Sequence, residues 1–363
     1  MQPFYFFTGF PGFIATRLIK ALLIRNRHAS FALLVHPSQM DKAKRELQAL
    51  TNKGHGTPEQ FELIAGDITQ PYLAIPPDVH TLLQNRITHV FHLAAIYDLA
   101  VPKDLAYQVN VIGTQNVNNW VLTLKKLERY IYFSTAYVSG DRVGKIYEHE
   151  LTMGQAFKNH YESTKYEAEV LVQSIRAKAP TTIIRPGIVV GDANTGETVK
   201  FDGPYFIMRF LDFFSRFPIP YVGEGNGLFN IVPVTYIIDA TIHLAHSRQS
   251  VDNVYHLTDP NPYRAKRAYE LIAKQLLQKE PTWMLPTSMA SAALSIPALR
   301  QWIGIERETL IYFNVEGDYD NTQAQADLTE AGITCPDLSS YLPAIVGYYQ
   351  EHRADPEKAI MIT

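Results

Sequence analysis

The sequence predicts an α/β fold: a Rossmann-type, doubly wound parallel sheet with a smaller, mostly helical and interleaved C-terminal lobe. Three observations support this fold class. Short apolar runs alternate with longer amphipathic segments through the first half of the chain, as in successive βαβ units. The predicted strands are almost continuously apolar, which is typical of parallel sheets covered by helices on both faces. A glycine-rich turn directly follows the first strand.

The first half of the chain divides into six predicted strands and four predicted helices. The strands are FYFFTG, FALLVH, FELIAGD, THVFHLAA, RYIYFSTA and TTIIRPG, and the helices cover 12–27, 39–53, 103–126 and 155–178. After residue 191 the alternation stops and a polar, glycine-rich loop follows. We then expect a helix in PYFIMRFLDFFSRF, a short strand and helix in GNGLFNIVPVTYIIDATIHLAHS, a returning strand at NVYHLTD, and helices at 266–278, 290–303, 321–331 and 339–353.

The bulk composition is that of an ordinary globular protein. Of the 363 residues 19% are charged and 46% hydrophobic, and the net charge of -3 gives no basis for binding nucleic acid. A single cysteine, Cys335, excludes an internal disulfide and fits a reducing, cytoplasmic compartment. The N-terminus lacks a basic residue before its short apolar run, so we expect no signal peptide.

No run of apolar residues is long enough to predict a transmembrane span. The most apolar late segment, residues 284–305, predicts a buried or cleft-covering helix. A helix lying on a membrane surface is the alternative, because Trp302 and the leucines would share one face. With the aromatic segment 205–217, this stretch suggests an apolar, long-chain substrate.

The turn after the first strand has the spacing of a phosphate-binding loop. Gly9, Gly12 and Ala15 form a G-x-x-G-x-x-A pattern between a strand and a helix. The first glycine permits a tight turn, the second lets a pyrophosphate approach the backbone, and the small third residue packs the helix closely. The pyrophosphate would lie at the helix N-terminus, where free N–H groups point outward. A plain strand–turn–helix is the alternative. The residues assigned to this contact are Gly9, Pro11, Gly12, Phe13 and Ile14.

The second strand favours NADP(H) over NAD(H). NAD enzymes usually end this strand with an acid that binds the ribose 2′-hydroxyl. Here His36 stands at that end, and the cations Lys42, Lys44 and Arg45 follow it. Those cations would attract a 2′-phosphate, although they also fit a solvated helix face. Asp67 and Ile68, after the third strand, are assigned to the adenine end of the coenzyme.

Candidate catalytic residues lie around the fifth strand. Tyr161 and Lys165 are four residues apart in a predicted helix, so both side chains share one face. An ammonium beside a phenol lowers the phenol pKa, which makes the tyrosine useful in proton transfer. Thr135 ends the fifth strand and is placed to hydrogen-bond a carbonyl oxygen, with Ser134 as the competing candidate. Taken alone, the Tyr–Lys spacing also arises by chance.

Together these motifs make the sequence resemble the extended short-chain dehydrogenase/reductases. The matching segments, in family order, are TGFPGFIA, GDIT, VFHLAA, NVIGTQNV, FSTAYVSGD, YESTKYEAE and RPGIVVGD. The resemblance implies catalytic roles for Thr135, Tyr161, Lys165 and Asn110. It also implies coenzyme contacts from Tyr161 and Lys165 and from a further set of strand-end residues, namely Leu93, Ala94, Ala95, Pro186, Gly187, Ile188 and Val189.

The segment RPGIVVGDANTGETVKFDGPYF narrows the resemblance. It is similar to the branch that contains fatty acyl-CoA reductases and thioester-reductase domains. Such a protein would use NADP(H) to transfer hydride to an aldehyde, a ketone or an acyl thioester carried by CoA or a separate carrier protein. Residues 1–200 would then bind the dinucleotide, with 230–260 completing the sheet, and 201–229 and 261–363 would form the substrate lobe. The family often dimerises through helices such as those at 103–126 and 155–178.

Two other functions compete with this hypothesis. A nucleotide-sugar epimerase or dehydratase would share the fold and the Tyr–Lys pair. Many sugar dehydratases carry an Asp–Glu pair after the catalytic threonine, where this chain has Ala136 and Tyr137. A non-catalytic NADP-binding regulator is the third hypothesis, but such proteins typically lose the tyrosine or the lysine. We assign Tyr97, Ala136 and Tyr137 to the substrate cleft, with core packing as the alternative for Tyr97.

The remaining reactive side chains point to no second site. His89 and His92 lie on or beside a predicted buried strand, and His149 and His160 lack a carboxylate or cysteine partner at ligand spacing. We therefore expect structural histidines and no metal. Cys335 lies far along the chain from the catalytic motifs and is not proposed as a nucleophile.

Overall fold

A seven-stranded parallel sheet forms the centre of the molecule. The computed structural model describes residues 2–97, 101–296 and 316–358. The strands of the sheet are β1 (Phe4–Thr8), β2 (Ser30–Val35), β3 (Phe61–Ala65), β4 (His89–His92), β5 (Arg129–Phe133), β7 (Thr181–Pro186) and β11 (Asn253–Leu257). Their order is β11-β7-β5-β4-β1-β2-β3, with every neighbouring pair parallel. The predicted doubly wound α/β fold is confirmed.

Three short strand pairs lie outside the central sheet, and each is parallel. They join β6 (Gly144–Ile146) to β13 (Gly317–Tyr319), β8 (Ile188–Val190) to β10 (Ile231–Pro233), and β9 (Pro220–Val222) to β12 (Trp283–Leu285). The first two pairs tie late segments of the chain to loops that follow β5 and β7. The C-terminal part is therefore interleaved with the first half.

Twelve helices with α-helical geometry are present in the described part of the chain. They are α1 (Phe13–Arg25), α2 (Met40–Asn52), α3 (Pro77–Gln84), α4 (Lys103–Ala106), α5 (Gly113–Val121), α6 (His160–Ser174), α7 (Tyr205–Phe213), α8 (Val234–His246), α9 (Ala265–Leu277), α10 (Thr287–Leu294), α11 (Thr322–Thr329) and α12 (Leu338–His352). Within this part, no helix combines the length and the apolar character that a membrane crossing needs.

Both faces of the sheet are covered by packed side chains, which explains why its strands are mostly apolar. On one face the rings of Phe7 and Phe91 stack with centroids 4.6 Å apart, beneath α1 and α8. On the other face the ring of Phe6 lies 4.3 Å from that of Trp120 on α5. Because neighbouring residues of a strand point to opposite faces, consecutive phenylalanines serve two separate cores.

Several predicted helices begin or end elsewhere than expected. The helix predicted at 155–178 begins at His160, because the Asn159 side chain accepts the Glu162 N–H at 2.9 Å and caps it there. The helix predicted at 103–126 ends at Val121 and contains a π-helical segment, Tyr107–Ile112. Helix α3 was not predicted, although Pro77 at its first position is a common start of a helix.

The C-terminal lobe has its own aromatic core. Helices α7, α9 and α12 pack together through buried side chains that include Tyr205, Leu211, Tyr269, Ile345 and Tyr349. These rings fill the interior of the lobe rather than line an open cleft.

The apolar segment 284–305 has a different environment from this core. Its described part is a strand end and α10, with Met284 and Met289 more than half exposed, so these side chains are not buried; residues 297–305 lie outside the described range.

Candidate active site

The site lies where the direction of the sheet connections reverses. Strands β1 and β4 are neighbours, and the chain leaves them toward opposite edges of the sheet. In open α/β sheets the crevice beyond such a switch point is where ligands bind. The loops after β1, β4 and β5 meet there and carry ten of the 22 predicted site residues.

The glycine loop after β1 has no room for larger residues. Gly9 has φ +89°, and a Cβ there would lie 2.8 Å from the backbone N of Ala94, in the loop after β4. A Cβ on Gly12 would lie 2.6 Å from the carbonyl oxygen of Gly9, which accepts the Gly12 N–H at 2.8 Å. The loop therefore presents bare backbone to the crevice, as a pyrophosphate requires.

The loop ends in a helix N-terminus suited to an anion. Gly12 is the N-cap of α1, and no described side chain caps the first turn, which also carries no acid. Ala15 is fully buried where the helix meets the sheet. Pro11 follows a cis peptide bond, and Phe13 and Ile14 are half-buried at the helix start. Unpaired N–H groups and the helix dipole both favour a phosphate here, so this chain fits a dinucleotide.

A buried hydrogen-bonded array lies beneath the glycine loop. The Thr8 hydroxyl accepts the Ala94 N–H at 3.1 Å and lies 2.7 Å from Nδ1 of His92. Nε2 of His92 is 3.1 Å from the Thr114 hydroxyl on α5. Burial, with a smaller effect of Lys165, lowers the pKa of His92 to about 3, so the imidazole is neutral. The array fixes the ends of β1 and β4, where Leu93 and Ala95 flank Ala94.

The predicted adenosine end is more open. His36 is exposed after β2, and its Nδ1 lies 2.7 Å from the Ser38 hydroxyl. Lys42, Lys44 and Arg45 on α2 are all exposed. Asp67 accepts hydrogen bonds from the N–H and the hydroxyl of Thr69, both at 2.8 Å. The carbonyl oxygen of Ile68 accepts the Asn116 amide at 2.9 Å, which ties this loop to α5.

The hydroxyls of two predicted catalytic residues, Thr135 and Tyr161, lie near each other at the end of β5. The Thr135 hydroxyl lies close enough to Tyr161 to lower its pKa, and it also accepts the Tyr137 N–H at 3.3 Å. Burial raises the pKa of Tyr161 to about 12, and Thr135 opposes this only in part. The predicted lowering of the Tyr161 pKa by Lys165 is not seen, because burial has the largest effect and the lowering effect comes from Thr135.

Lys165 points at the end of β5. Its Nζ donates to the carbonyl oxygen of Phe133 at 2.6 Å and to the Tyr132 hydroxyl at 3.0 Å. The ammonium also lies 4.5 Å from the centre of the Tyr132 ring. Burial lowers the pKa of Lys165 to about 7, while the Glu169 carboxylate opposes that change. The lysine is thus a buried group that titrates near neutral pH.

Asn110 connects the loop after β4 to the helix that carries Tyr161 and Lys165. Its side chain accepts the Ile96 N–H at 2.9 Å and donates to the Ile96 carbonyl and the Thr164 hydroxyl, each at 3.0 Å. The residue is buried within the π-helical segment Tyr107–Ile112. Such single π turns are frequent at functional sites. Asn110 supports the helix directly through Thr164.

Ser134, the competitor of Thr135, faces away from Tyr161. Its hydroxyl donates to Glu169 at 2.5 Å, and Glu169 also pairs with Arg185 at 2.5 Å. All three side chains are buried. The sequence motifs did not indicate Glu169 and Arg185. Two signals could have found them: an acid one helical turn after Lys165, and a cation inside an otherwise apolar strand.

The end of β7 closes the crevice. Pro186 is the last residue of β7, and a Cβ on Gly187 would lie 2.8 Å from the carbonyl oxygen of Asn230. The Ile188 N–H donates to that same oxygen at 2.8 Å. Ile188 and Val189 are half-buried where β8 pairs with β10. This segment brings the lobe against the sheet edge.

The three predicted substrate contacts have different environments. Tyr97 is 59% exposed and close enough to Tyr161 to raise its pKa. Ala136 and Tyr137 are buried, and the Tyr137 ring lies 6.1 Å from that of Tyr319 on β13. Of the three, only Tyr97 has a largely exposed side chain beside Tyr161, the predicted catalytic tyrosine.

The histidines and the cysteine for which no catalytic or metal-binding role was predicted lie as follows. His89 is buried beside the Thr88 hydroxyl at 2.9 Å, and burial lowers its pKa to about 3. His149 and His160 are exposed. Burial raises the pKa of the Cys335 thiol. Over the described ranges, no three His, Cys, Asp or Glu side chains group as metal ligands.

A family model described as "Male sterility protein" matches residues 7–241, which include every catalytic and coenzyme-binding candidate above. The chain belongs to this family. The male sterility proteins are NAD(P)-binding reductases among the extended short-chain dehydrogenase/reductases, and the resemblance that the motifs indicated is confirmed.

Curated relatives from the male sterility family are larger than the chain. A non-canonical nonribosomal peptide synthetase of Aspergillus campestris is 26% identical over 268 residues, which cover 69% of this chain and 25% of that protein. A putative fatty acyl-CoA reductase of Drosophila melanogaster is 24% identical over 283 residues, 65% of this chain and 50% of the relative. The chain spans half or less of the length of these relatives.

Solved structures share the fold of this male sterility family member. The terminal R domain from the myxalamid PKS-NRPS biosynthetic pathway is 23% identical, with a TM-score of 0.79 and coverage of 97% of this chain and 91% of that domain. UDP-glucuronic acid 4-epimerase from Bacillus cereus, in complex with NAD, is 19% identical, with a TM-score of 0.66 and coverage of 96% and 99%. At these identities the likeness concerns the fold alone.

Proposed function

We propose that this protein is an NADP(H)-dependent reductase that transfers hydride to a carbonyl or acyl-thioester carbon. The observation that carries the proposal is the pair of neighbouring hydroxyl residues at the end of β5, Thr135 and Tyr161, on the same strand end to which the buried Lys165 donates. This pair lies on the same sheet edge as the bare glycine loop that fits a dinucleotide. A coenzyme cradle beside two convergent hydroxyls suits carbonyl reduction.

The protein's own groups would orient the carbonyl and supply a proton. The bound coenzyme supplies the hydride. Thr135 and Tyr161 donate hydrogen bonds to the carbonyl oxygen, and Tyr161 gives up its proton as negative charge develops there. The high pKa of the half-buried Tyr161 keeps it protonated until that moment. Lys165 binds the nicotinamide ribose and stabilises the phenolate that Tyr161 leaves behind, and Asn110 holds the helix in place.

On a thioester, one hydride and one proton would convert the carbonyl into a hemithioacetal. When its hydroxyl proton leaves, the C–O double bond re-forms, the C–S bond breaks, and the departing thiolate takes a proton. The products are an aldehyde and a free thiol. Because relatives include proteins named as a fatty acyl-CoA reductase and a nonribosomal peptide synthetase, we propose that the acyl group arrives on CoA or on a separate carrier protein.

The preference for NADP(H) rests on the end of β2. His36 and the exposed cations Lys42, Lys44 and Arg45 stand where an NAD enzyme would carry an acid. A positive surface there favours a 2′-phosphate. The other proposed coenzyme contacts are the glycine loop, Asp67 with Ile68, residues 93–95, and residues 186–189.

The proposed functions divide between the central sheet and the C-terminal lobe. Residues 1–200, with 230–260, would bind the coenzyme, and 201–229 with 261–363 would form the substrate lobe. Tyr97, beside Tyr161, is the proposed substrate contact with the most exposed side chain. We further propose a homodimer formed through the helices of 103–126 and 155–178, in a reducing cytoplasmic compartment.

A nucleotide-sugar epimerase is the second candidate, because the fold of such an epimerase covers nearly the whole chain. The experiment that separates the two is a coenzyme-oxidation assay with NADPH or NADH against acyl-CoAs, aldehydes and ketones, run beside a UDP-sugar conversion assay. We expect net NADPH oxidation with a carbonyl substrate and no sugar conversion. Sugar conversion without net coenzyme oxidation would overturn the reductase proposal.

A further inference from the structure

Two side chains of α6 hold consecutive residues at the end of β5. Lys165 donates to the carbonyl oxygen of Phe133 at 2.6 Å. One helical turn later, Glu169 accepts the Ser134 hydroxyl at 2.5 Å. The next residue of the chain is Thr135, which lies close enough to Tyr161, at the start of the same helix, to lower its pKa. The relative position of the Thr135 and Tyr161 hydroxyls thus depends on how α6 packs and hydrogen-bonds against the end of β5.

Glu169 is held from a third element. Nη2 of Arg185, on β7, lies 2.5 Å from Oε1 of Glu169, and Nε of Arg185 lies 3.1 Å from both carboxylate oxygens. The Gln173 amide donates to Oε1 at 3.0 Å. Both charged side chains are at most 1% exposed. An ion pair buried this completely is weak evidence for stability, because desolvation offsets the attraction. Its position beside the site suggests another role.

We infer that Glu169 is a positioning residue of the proposed reductase site. Anchored by Arg185, it faces the Lys165 ammonium with a buried negative charge. Through Ser134 it fixes the end of β5, and therefore Thr135, against the helix that carries Tyr161. This inference rests on the proposed function, because it concerns the geometry and charge of that same site.

The charges around Lys165 decide what Glu169 does for it. From α6 itself, Glu169 acts on the lysine, and from β5 the Tyr132 hydroxyl accepts its hydrogen bond. His92 on β4 is close enough for Lys165 to lower its pKa, but that imidazole is neutral. Arg185 on β7 is paired with Glu169. Glu169 is therefore the buried negative charge that favours the ammonium form.

Removing the negative charge of Glu169 should lower the pKa of Lys165. Burial already lowers the pKa of Lys165 to about 7, and Glu169 opposes that shift. In Glu169→Gln the opposing charge is lost and Arg185 is left unpaired, so the pKa of Lys165 falls further. As the pH rises, a step that needs the Lys165 ammonium is then lost at a lower pH in the variant than in the wild type. We expect the alkaline limb of the kcat profile to move down by about one pH unit, which means about tenfold less ammonium above it.

The test compares full pH profiles of kcat and kcat/KM for matched variants. Glu169→Gln should show the shifted limb, and Glu169→Asp, which retains the charge, should keep the wild-type limb. Glu167→Gln is the matched control, because Glu167 lies on the same helix but is exposed. A folded Glu169→Gln enzyme with a wild-type kcat and limb would overturn the inference.

Two further measurements keep the inference testable if that variant does not fold or if the enzyme reduces no carbonyl. Ser134→Ala leaves the ion pair intact and should lower kcat severalfold without moving the limb; an unchanged kcat would overturn the positioning role. If the wild type binds NADPH but reduces no carbonyl, the proposed function fails, and the pH dependence of NADPH affinity decides the inference. A shift in Glu169→Gln supports it, and identical curves overturn it.

Discussion

The crevice at the switch point and the C-terminal lobe are built in opposite ways. In the crevice, single positions matter: Gly9 has no space for a Cβ, and Asn110 joins the loop after β4 to α6 with three hydrogen bonds. In the lobe, helices α7, α9 and α12 are held together by an extended apolar cluster. The crevice is specified by individual residues at fixed spacing, whereas the lobe is specified by its total packing.

The aromatic residues of the lobe show the difference clearly. Buried tyrosines there also satisfy backbone groups: the Tyr269 hydroxyl donates to the Pro220 carbonyl at 2.7 Å, and that of Tyr341 to the Ile231 carbonyl at 3.1 Å. Their role is to fix a core, which leaves no short motif for a substrate. The residues of the crevice therefore indicate the class of coenzyme, whereas those of the lobe do not indicate the substrate.

Substitution of a single glycine by alanine should have the most different effects in the two regions. Gly9→Ala places a Cβ at φ +89° within 2.8 Å of the Ala94 nitrogen, so NADPH affinity should fall by at least about 100-fold as the loop is displaced. Gly347→Ala, on α12, meets no atom within 4 Å and should raise stability by about 0.5–1 kcal/mol. Fluorescence titration with NADPH and chemical unfolding measure these effects. Unaltered NADPH binding by Gly9→Ala would refute the proposed cradle.

Truncation in the lobe core should lower stability while leaving the coenzyme site intact. Leu342 is buried among the side chains of α7, α9 and α12. Leu342→Ala should reduce the free energy of unfolding by about 3 kcal/mol, because it leaves a cavity. NADPH affinity at a temperature where the variant is folded should stay within twofold of the wild type. A parallel loss of affinity would mean that the two regions are not independent.

Acid should destabilise the crevice through His92. Burial places its pKa at about 3, below the unfolded value of 6.5. The folded state therefore binds fewer protons between these limits, and stability present above pH 6.5 is lost as the pH falls toward 3. The slope from this group is about 1.4 kcal/mol per pH unit. Urea unfolding between pH 6 and 4 should show a shallower pH dependence in His92→Asn than in the exposed control His28→Asn. Equal slopes would contradict the assignment.

The smallest expected effect concerns coenzyme choice. His36→Asp would place a negative charge at the end of β2, repelling a 2′-phosphate and accepting a hydrogen bond from a 2′-hydroxyl. The ratio of kcat/KM for NADPH to that for NADH should fall by about tenfold or more. If steady-state kinetics give the same ratio as in the wild type, His36 does not lie near the 2′ position.

The sequence was most informative where one residue type alone fits. Gly9, Gly12 and Ala15 could be assigned because each answers a steric demand of the turn. It was less informative where geometry depends on distant partners. The start of α6 at His160 is set by the Asn159 cap, and the contact from Lys165 to Phe133 depends on how a helix docks on a strand. Burial that raises the Tyr161 pKa is likewise a property of the folded chain.

The lobe was the least predictable part. Apolar composition predicted its helices α7, α9 and α12 but not which side chains face inward. Segment 284–305 shows the limit, because its apolar character suggested burial while Met284 and Met289 are exposed. Helical periodicity locates a helix, and only the packing of neighbours decides its environment.

The most direct test of the proposed reaction follows the hydride itself. Deuterium-labelled NADPH is incubated with an acyl-CoA, and the product is examined by mass spectrometry for the wild type, Tyr161→Phe and a control. The control is Tyr166→Phe on the same helix, where the hydroxyl of Tyr166 donates to that of Thr152. We expect one deuterium in an aldehyde, or two in an alcohol, with a rate at least about 100-fold lower in Tyr161→Phe and unchanged NADPH binding. Product without deuterium, or full activity in Tyr161→Phe, would contradict the proposal.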